Sequence, residues 1–339
     1  MKLPDLDELL FLRGAARSLN LRAHGPARAL LLGSHRSGHR GRGLEFEEVR
    51  PYVAGDDPRS IDWRVTARRG RPHTKLFREE RERPVWLLVD LHPGMFFGSR
   101  VQLKSMAAVR ATALLAWVAA LGGDRVGAVI DNAAATRILP PRSREAGVLP
   151  VLNTLLELQP RAPARRSVTP PSSEEDGAPF SRGAGEGRRL AFGQTSLNHL
   201  SQELAPLVHP GSLVLALSDF AGVDQGSEVL WSGLVAHSEC RWFWISDILE
   251  RSGLPDGRFR GGWPDRILTM DGAGVRSAWQ AAWRERTQRI ESIAQRLRIS
   301  LTQLDTGVEV ERALEELLKA PSNSLAGAVL AGEVFSVPR

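Results

Sequence analysis

The 339-residue sequence has almost no cysteine. Its single cysteine, Cys240, cannot form an internal disulfide or a cysteine-ligated zinc cluster, which excludes disulfide-stabilised secreted scaffolds and zinc domains of that type. The neighbours of Cys240 have the composition of a strand and do not include a positioned base, so we do not expect thiol catalysis there. A chain of this length buries enough surface to fold without such crosslinks.

Long apolar runs are also missing. The most apolar stretch, residues 111–121, ends at Gly122-Gly123-Asp124 and is shorter than the ~20 residues that span a bilayer. The first residues do not place a basic segment before an apolar core, so no secretory signal is expected. We therefore predict a buried helix at 111–121, no membrane span, and a cytoplasmic protein.

Familiar enzyme signatures are absent from the sequence. Residues 38–43 are rich in glycine but lack the lysine and hydroxyl pair of a phosphate-binding loop. There is no Gly-x-Ser-x-Gly elbow, and none of the eight histidines belongs to a His-Glu-x-x-His pair. The sequence therefore favours a protein that is not an enzyme.

Positive charge is concentrated at the amino-terminal end. Residues 1–84 hold 18 basic and 12 acidic residues, and this excess equals the net charge of +6 of the whole chain. Such a bias suits an acidic partner or a nucleic acid. Because acids are interleaved with the arginines, pairing within the chain is the favoured interpretation. Nucleic-acid binding is disfavoured because the region has few aromatic side chains to stack on bases.

Short apolar runs alternate with helical patterns from Pro84 onward. Strands are predicted at 85–90, 125–131, 213–219, 241–246, 266–270 and 300–304, and helices at 102–121, 148–158, 197–207, 227–237, 275–298 and 308–319. Thr306 and Glu309 form a capping-box pattern for the last helix. This alternation predicts an α/β fold with a doubly wound, mostly parallel sheet.

The composition divides the chain into segments. We predict a small α+β amino-terminal lobe over residues 1–83, a sheet domain over 84–319, and a tail over 320–339. Residues 160–189 are dominated by arginine, proline, serine, glycine and acids, so they predict a flexible insertion in the sheet domain.

Two aspartates directly follow apolar strands of the predicted sheet. They are Asp90 and Asp219. In parallel α/β sheets, ligands bind beyond the carboxyl ends of the strands, where the strand order reverses. The topology therefore predicts that both carboxylates lie at the same edge of one sheet.

Residues 33–83 form the most distinctive stretch. It contains the runs Gly55-Asp56-Asp57-Pro58-Arg59-Ser60-Ile61-Asp62-Trp63-Arg64 and Thr74-Lys75-Leu76-Phe77 and leads into the strand that ends at Asp90. This stretch resembles the domain of unknown function 58 family, whose core is a von Willebrand factor A-like domain. The resemblance is close over about residues 30–130 and elsewhere follows the order of elements. It implies a von Willebrand factor A/Rossmann-like fold.

Arginines and acids alternate within this distinctive stretch. The candidate residues are Arg50, Tyr52, Asp56, Asp57, Arg59, Asp62, Trp63, Arg64 and Arg68. Guanidinium groups pair well with carboxylates in partly buried settings, so a structural brace between the lobe and the sheet is favoured, and a partner-binding face comes second. A hydrolytic metal site of Asp56, Asp57 and Asp62, with His35 or His39, is least favoured, because the arginines compete with a cation for the acids.

The resemblance also implies a metal-ion-dependent adhesion site at the sheet edge. Such sites hold Mg²⁺ through Asp-x-Ser-x-Ser, a later threonine and a later aspartate, which with waters supply about six oxygen ligands. Here His92 and Gly94 stand at the serine positions, leaving Asp90, Thr195 and Asp219. We therefore expect no cofactor, with Mg²⁺ as the lesser alternative. A zinc-type site of Asp90, His92 and Asp219 is a further alternative.

The function implied by the resemblance is protein interaction. We expect an adaptor that works with a MoxR-type AAA+ ATPase in the assembly or maturation of another protein complex. The binding surfaces would be the edge around Asp90, His92, Thr195 and Asp219 and the basic amino-terminal lobe. The alternatives are metal-dependent ligand binding or hydrolysis at that edge, and nucleic-acid binding by the lobe.

Overall fold

A computed structural model describes most of the chain. The described residues are 3–21, 44–53, 56, 58–79, 82–159, 196–263 and 266–319. The predicted insertion at 160–189, the tail at 320–339, and Asp57, Thr195, His35 and His39 lie outside these residues. The fold divides into two compact units: residues 23–82, and a sheet unit formed by residues 1–22 and 83–339.

Helices and strands alternate along most of the described chain. The helices are α1 (Leu6–Ala16), α2 (Trp63–Arg69), α3 (Lys104–Leu121), α4 (Glu145–Leu158), α5 (Ser196–Leu204), α6 (Gln225–Val235), α7 (Ile248–Ser252), α8 (Gly272–Leu297) and α9 (Val310–Lys319). The strands are β1 (Leu44–Pro51), β2 (His73–Glu79), β3 (Pro84–Asp90), β4 (Arg125–Asp131), β5 (Thr136–Ser143), β6 (Leu213–Ser218), β7 (Glu239–Ser246), β8 (Arg258–Trp263), β9 (Arg266–Asp271) and β10 (Ser300–Asp305).

The sheet unit is built on a six-stranded sheet with the order β10-β7-β6-β3-β4-β5. All neighbouring pairs are parallel except β4 and β5, which are antiparallel. The chain leaves β3 toward β4 and β5 on one side and then continues through β6, β7 and β10 on the other. The strand order therefore reverses between β3 and β6, and the prediction of a mostly parallel α/β sheet is confirmed.

Both faces of the central strands are buried, which explains their unbroken apolar runs. In β3, Val85, Leu87 and Val89 belong to a core shared with α3 and α4, whereas Trp86 and Leu88 belong to a second core. The second core includes side chains of α5, α6 and α8. Since period-2 alternation sends successive side chains to opposite faces, a strand of this kind needs apolar residues at nearly every position.

Helix α3 forms the centre of the first core. It is long and apolar enough to cross a membrane, but 83% of its apolar window is buried inside the protein, as predicted for a core helix. Helix α1 packs against it through Leu9, Leu12 and Ala16, and Nε1 of Trp117 donates to the carbonyl of Leu9 at 3.0 Å. Residues 6–16, grouped by sequence with the lobe, thus belong to the sheet unit.

Several local features differ from the sequence analysis, and strand β8 and helix α7 were also not predicted. Strand β5 was not predicted, because its two prolines and its exposed side chains hide an edge strand. Strand β9 was predicted, but it pairs with β8 in a separate two-stranded sheet. The capping box of Thr306 was wrong, because α9 begins only at Val310 and the Thr306 hydroxyl instead donates to the carboxylate of Asp247.

The unit of residues 23–82 contains a small antiparallel sheet of β1 and β2. Helix α2 precedes β2 and is short, with Asp62 as its N-cap: the carboxylate accepts hydrogen bonds from the backbone N–H groups of Arg64 and Val65 at 3.0 and 3.1 Å. The helix ends at Gly70, whose φ of 69° lies in the left-handed region that glycine adopts without strain.

Candidate functional site

The carboxylates of Asp90 and Asp219 lie at the same edge of the sheet. Strands β3 and β6 are parallel neighbours, and Asp90 ends the first while Asp219 follows the second. The hydroxyl of Ser218 donates to Oδ2 of Asp90 at 2.9 Å. Nε2 of His92 lies 3.2 Å from Oδ1 of Asp219, and the backbone N–H of His92 donates to Oδ1 of Asp90 at 3.2 Å. The predicted meeting of the two acids is confirmed, with His92 and Ser218 between them.

His92 and Gly94 form one structural unit at this edge. The backbone N–H of Gly94 donates to Nδ1 of His92 at 3.1 Å, which leaves the ring proton on Nε2 to be donated to Asp219. A Cβ atom on residue 94 would lie 2.5 Å from Cε1 of His92. The two residues that replace the expected serines therefore depend on each other, because the imidazole fits only over a glycine.

A lysine that the sequence analysis missed completes the cluster. Lys104 is the first residue of α3 and is 2% exposed. Its Nζ atom lies 2.7 Å from Oδ2 of Asp219 and 3.1 Å from Oε1 of Glu250, the latter in α7. We call Asp90, His92, Lys104, Asp219 and Glu250 the rim cluster.

The pKa values of the rim cluster follow from these contacts. Burial on its own raises the pKa of Asp219, but the charge of Lys104 and the hydrogen bond from His92 hold that pKa well below its usual value. Burial lowers the pKa of Lys104, but the charges of Asp219 and Glu250 outweigh burial and raise it. Burial lowers the pKa of His92, but the hydrogen bond to Asp219 together with the charges of Asp219 and Asp90 outweighs burial and raises that pKa. Asp219 and Lys104 are therefore an ion pair at neutral pH.

The residues of this edge do not fit a divalent cation. Oδ2 of Asp219 accepts from Lys104, and its Oδ1 accepts from the N–H of Ala221 at 3.0 Å. Both ring nitrogens of His92 have hydrogen-bond partners. Among the described residues, no group of three or more histidine, cysteine, aspartate or glutamate side chains is placed to hold a metal. Thr195, the remaining predicted ligand, lies outside the described residues.

Another buried carboxylate, that of Asp247, organises the neighbouring loops. Asp247 follows β7 and accepts hydrogen bonds from the backbone N–H of Ser99 at 2.8 Å, from the hydroxyls of Ser99 and Thr306, and from the N–H of Leu249. The signal for it is the one that marked Asp90 and Asp219, an acid next to the end of an apolar strand. Asp247 is therefore a further buried acid at this edge, which also carries Asp131 at the end of β4, and the described partners of Asp247 are hydrogen-bond donors of the chain itself.

The arginines and acids of the 23–82 unit separate into two groups. Arg50 pairs with Asp56 at 2.7 Å, the hydroxyl of Tyr52 donates to the carbonyl of Asp56 at 3.3 Å, and Asp62 caps α2. These residues act as a local brace within their own unit. Trp63 is 70% exposed, and Arg59, Arg64 and Arg68 are also exposed. Asp57 lies outside the described residues.

Parts of this chain resemble known proteins. Three uncharacterized proteins, one from Mycobacterium bovis and two from Mycobacterium tuberculosis strains, are each 37% identical over 153 residues, 45% of this chain. The match spans 48% of their length, so the chain spans about half the length of the curated relatives it matches. The solved structure of conserved hypothetical protein BatB from Bacteroides thetaiotaomicron aligns with a TM-score of 0.39 at 11% identity, covering 70% of this chain and all of that one. Residues 48–176 match the family described as protein of unknown function DUF58.

Proposed function

We propose that this chain is a non-enzymatic protein-interaction module, an adaptor that works with a MoxR-type AAA+ ATPase during the assembly or maturation of another protein complex. The partner would hydrolyse ATP, and this chain would supply binding surfaces. One observation carries the proposal: an exposed tryptophan stands among exposed arginines on and just after α2. We call the three of these side chains that lie within about 140° around the helix axis, Trp63, Arg64 and Arg68, the Trp63 face.

The composition of the Trp63 face is that of a binding hot spot. Tryptophan and arginine are the residue types most enriched where truncation costs the most binding energy. A tryptophan that is 70% exposed gives the folded monomer little burial energy, so its indole ring is available to a partner. The face is therefore suited to bury a large aromatic group together with charged side chains.

The two arginines of this face do not stabilise one another. Arg64 and Arg68 are four residues apart, where like charges destabilise a helix by a few tenths of a kcal/mol. Among the described side chains, neither forms an ion pair with a carboxylate. The arrangement favours a partner segment that brings acidic side chains and one apolar pocket or side chain for Trp63.

The rim cluster is an unsuitable direct contact for such a partner. Asp90, His92, Lys104 and Asp219 are between 2% and 6% exposed. Their polar atoms are engaged with one another, so a partner reaches them only after they rearrange. The proposal therefore places recognition on the Trp63 face and gives the rim cluster a structural role.

Binding to a purified MoxR-type AAA+ ATPase from the same genome tests the proposal. We expect Trp63→Ala to raise the dissociation constant by ~30-fold, which corresponds to a typical hot-spot residue of ~2 kcal/mol. The double variant Arg64→Glu/Arg68→Glu should raise the dissociation constant further at low salt. Phe11→Ala is the matched control, because Phe11 is an aromatic side chain that is 85% exposed on α1. No binding by the wild-type chain, or equal binding by Trp63→Ala, would refute the proposal. Salt-sensitive DNA binding lost in the arginine variant would favour nucleic acid instead.

A further inference from the structure

We propose that the ammonium group of Lys104 takes the place of a divalent cation at this edge of the sheet, so that the edge is metal-independent, and that removing the lysine side chain turns the edge into a cation site. The inference rests on the rim cluster alone and does not depend on the proposed function. The inference assigns to Lys104 the role of a bound cation, which its position at the start of a helix does not predict.

Lys104 contacts carboxylates in the way that a bound cation does. Its Nζ joins two carboxylates from distant parts of the chain, at 2.7 Å from Asp219 and 3.1 Å from Glu250. The lysine comes from α3, Asp219 follows β6, and Glu250 lies in α7. One positive charge thus holds three elements together, which is what a cation bound by carboxylates does in other proteins.

The position of Lys104 at a helix terminus is unfavourable for a cation, so the two acids must determine that position. The amino-terminal end of a helix carries positive partial charge, so a cation there is disfavoured. Burial of an ammonium group also costs free energy. Both costs are borne at Lys104, the first residue of α3 and 2% exposed. Asp219 and Glu250 together must offset them.

The charges around the ammonium group are already balanced. Glu250 accepts from Arg286 of α8 at 3.2 Å as well as from Lys104. Asp219 receives the hydrogen bond of His92 in addition to that of Lys104. A divalent cation would have to displace Lys104 and add two further charges beside it. We therefore expect the wild-type chain to leave Mg²⁺ and Mn²⁺ unbound.

Two variants of the full chain distinguish the effect of the space that the lysine side chain fills from the effect of its charge. Lys104→Ala removes the ammonium group and opens a space beside Asp219 and Glu250, whereas Lys104→Met removes the charge but keeps most of the volume. We expect both to melt below the wild type in chelator. Added Mn²⁺ should raise the melting temperature of Lys104→Ala in a saturable way and leave the wild type and Lys104→Met unchanged. The double variant Lys104→Ala/Asp219→Asn should not respond, which would assign the ion to Asp219.

The wild-type chain also decides the proposal without any variant. Titration with Mn²⁺, followed by its electron paramagnetic resonance signal, should show no saturable site. Saturable binding by the wild type that is lost in Asp219→Asn would overturn the proposal. A folded Lys104→Ala variant that ignores Mn²⁺ and Mg²⁺ would also overturn it. If Lys104→Ala is insoluble in chelator, recovery of soluble protein by refolding with Mn²⁺ supports the proposal, and failure to recover with either ion counts against it.

Discussion

Ser99 gives both of its donors to Asp247: its backbone N–H lies 2.8 Å from Oδ2 and its hydroxyl 2.5 Å from Oδ1 of that carboxylate. Thr306, which follows β10, donates to the same carboxylate. Residue 99 belongs to the segment between β3 and α3. The Asp247 side chain therefore joins segments that follow three strands of the sheet. Its loss should destabilise all three segments.

Asp247→Ala should strongly destabilise the sheet unit. The carboxylate is 1% exposed, and its removal leaves several buried donors without their acceptor, each at a cost of about 1–3 kcal/mol. We expect a loss of about 3–5 kcal/mol in the free energy of unfolding, measured by urea denaturation. Asp256→Ala is the control, because Asp256 pairs with Arg276 but its side chain is 82% exposed. Equal effects of the two substitutions would contradict this role for Asp247.

The pH dependence of stability should report the same carboxylate. Burial raises the pKa of Asp247, but the hydrogen bonds from Ser99 and Thr306 outweigh burial and lower it below the usual 3.8. A folded-state pKa below the unfolded one adds stability that is present above the unfolded value and is lost as pH falls through the folded value. The stability difference between the wild type and Asp247→Asn should be constant above pH 5 and should shrink below about pH 4. A difference that grows on acidification would exclude this assignment.

Burial explains which parts of the fold the sequence predicts. Strands β3, β4, β6 and β7 are covered on both faces, so their apolar runs are unbroken and each was found within a few residues of its true ends. Strand β5 lies at the edge of the sheet, where prolines and charged side chains are tolerated, so its residues show no strand pattern.

The candidate site was predictable only where the topology determines it. Asp90 and Asp219 were placed together because parallel neighbours end at the same edge. Lys104 was missed because its two carboxylate partners are 115 and 146 residues away in sequence. A lysine at the start of an apolar helix resembles an exposed residue until its partners are known.

Gly94→Ala should displace the imidazole of His92 from Asp219. The added Cβ would lie 2.5 Å from Cε1 of the ring, so the ring must move and its hydrogen bond to Asp219 is lost. We expect a lower melting temperature and a changed imidazole NMR signal for His92. In His92→Ala/Gly94→Ala the clash is absent, so the penalty of the second substitution should largely disappear. Gly233→Ala, where a Cβ meets nothing within 4 Å, is the control.

Leu9→Ala should destabilise the sheet unit although residue 9 lies far in sequence from the strands of the six-stranded sheet. Leu9 is fully buried in the core that contains α3, and truncation of a buried leucine costs about 2–5 kcal/mol. Leu6→Ala in the same helix should cost less than about 1 kcal/mol, because Leu6 is 37% exposed. Chemical denaturation of both variants measures the difference. Equal stability of the two variants would show that α1 does not belong to this core.

Cys240 should be unreactive in the folded protein. Burial raises the pKa of its thiol to about 12, so at pH 8 only about one thiol in ten thousand is the thiolate that attacks an alkylating reagent. The side chain is also 6% exposed, in strand β7, which blocks access. Iodoacetamide should therefore modify one thiol per chain rapidly in denaturant and very slowly without it, at a rate set by opening of the sheet. Rapid stoichiometric alkylation of the native chain would show that Cys240 is an accessible, activated nucleophile, and would return thiol chemistry to consideration for this protein.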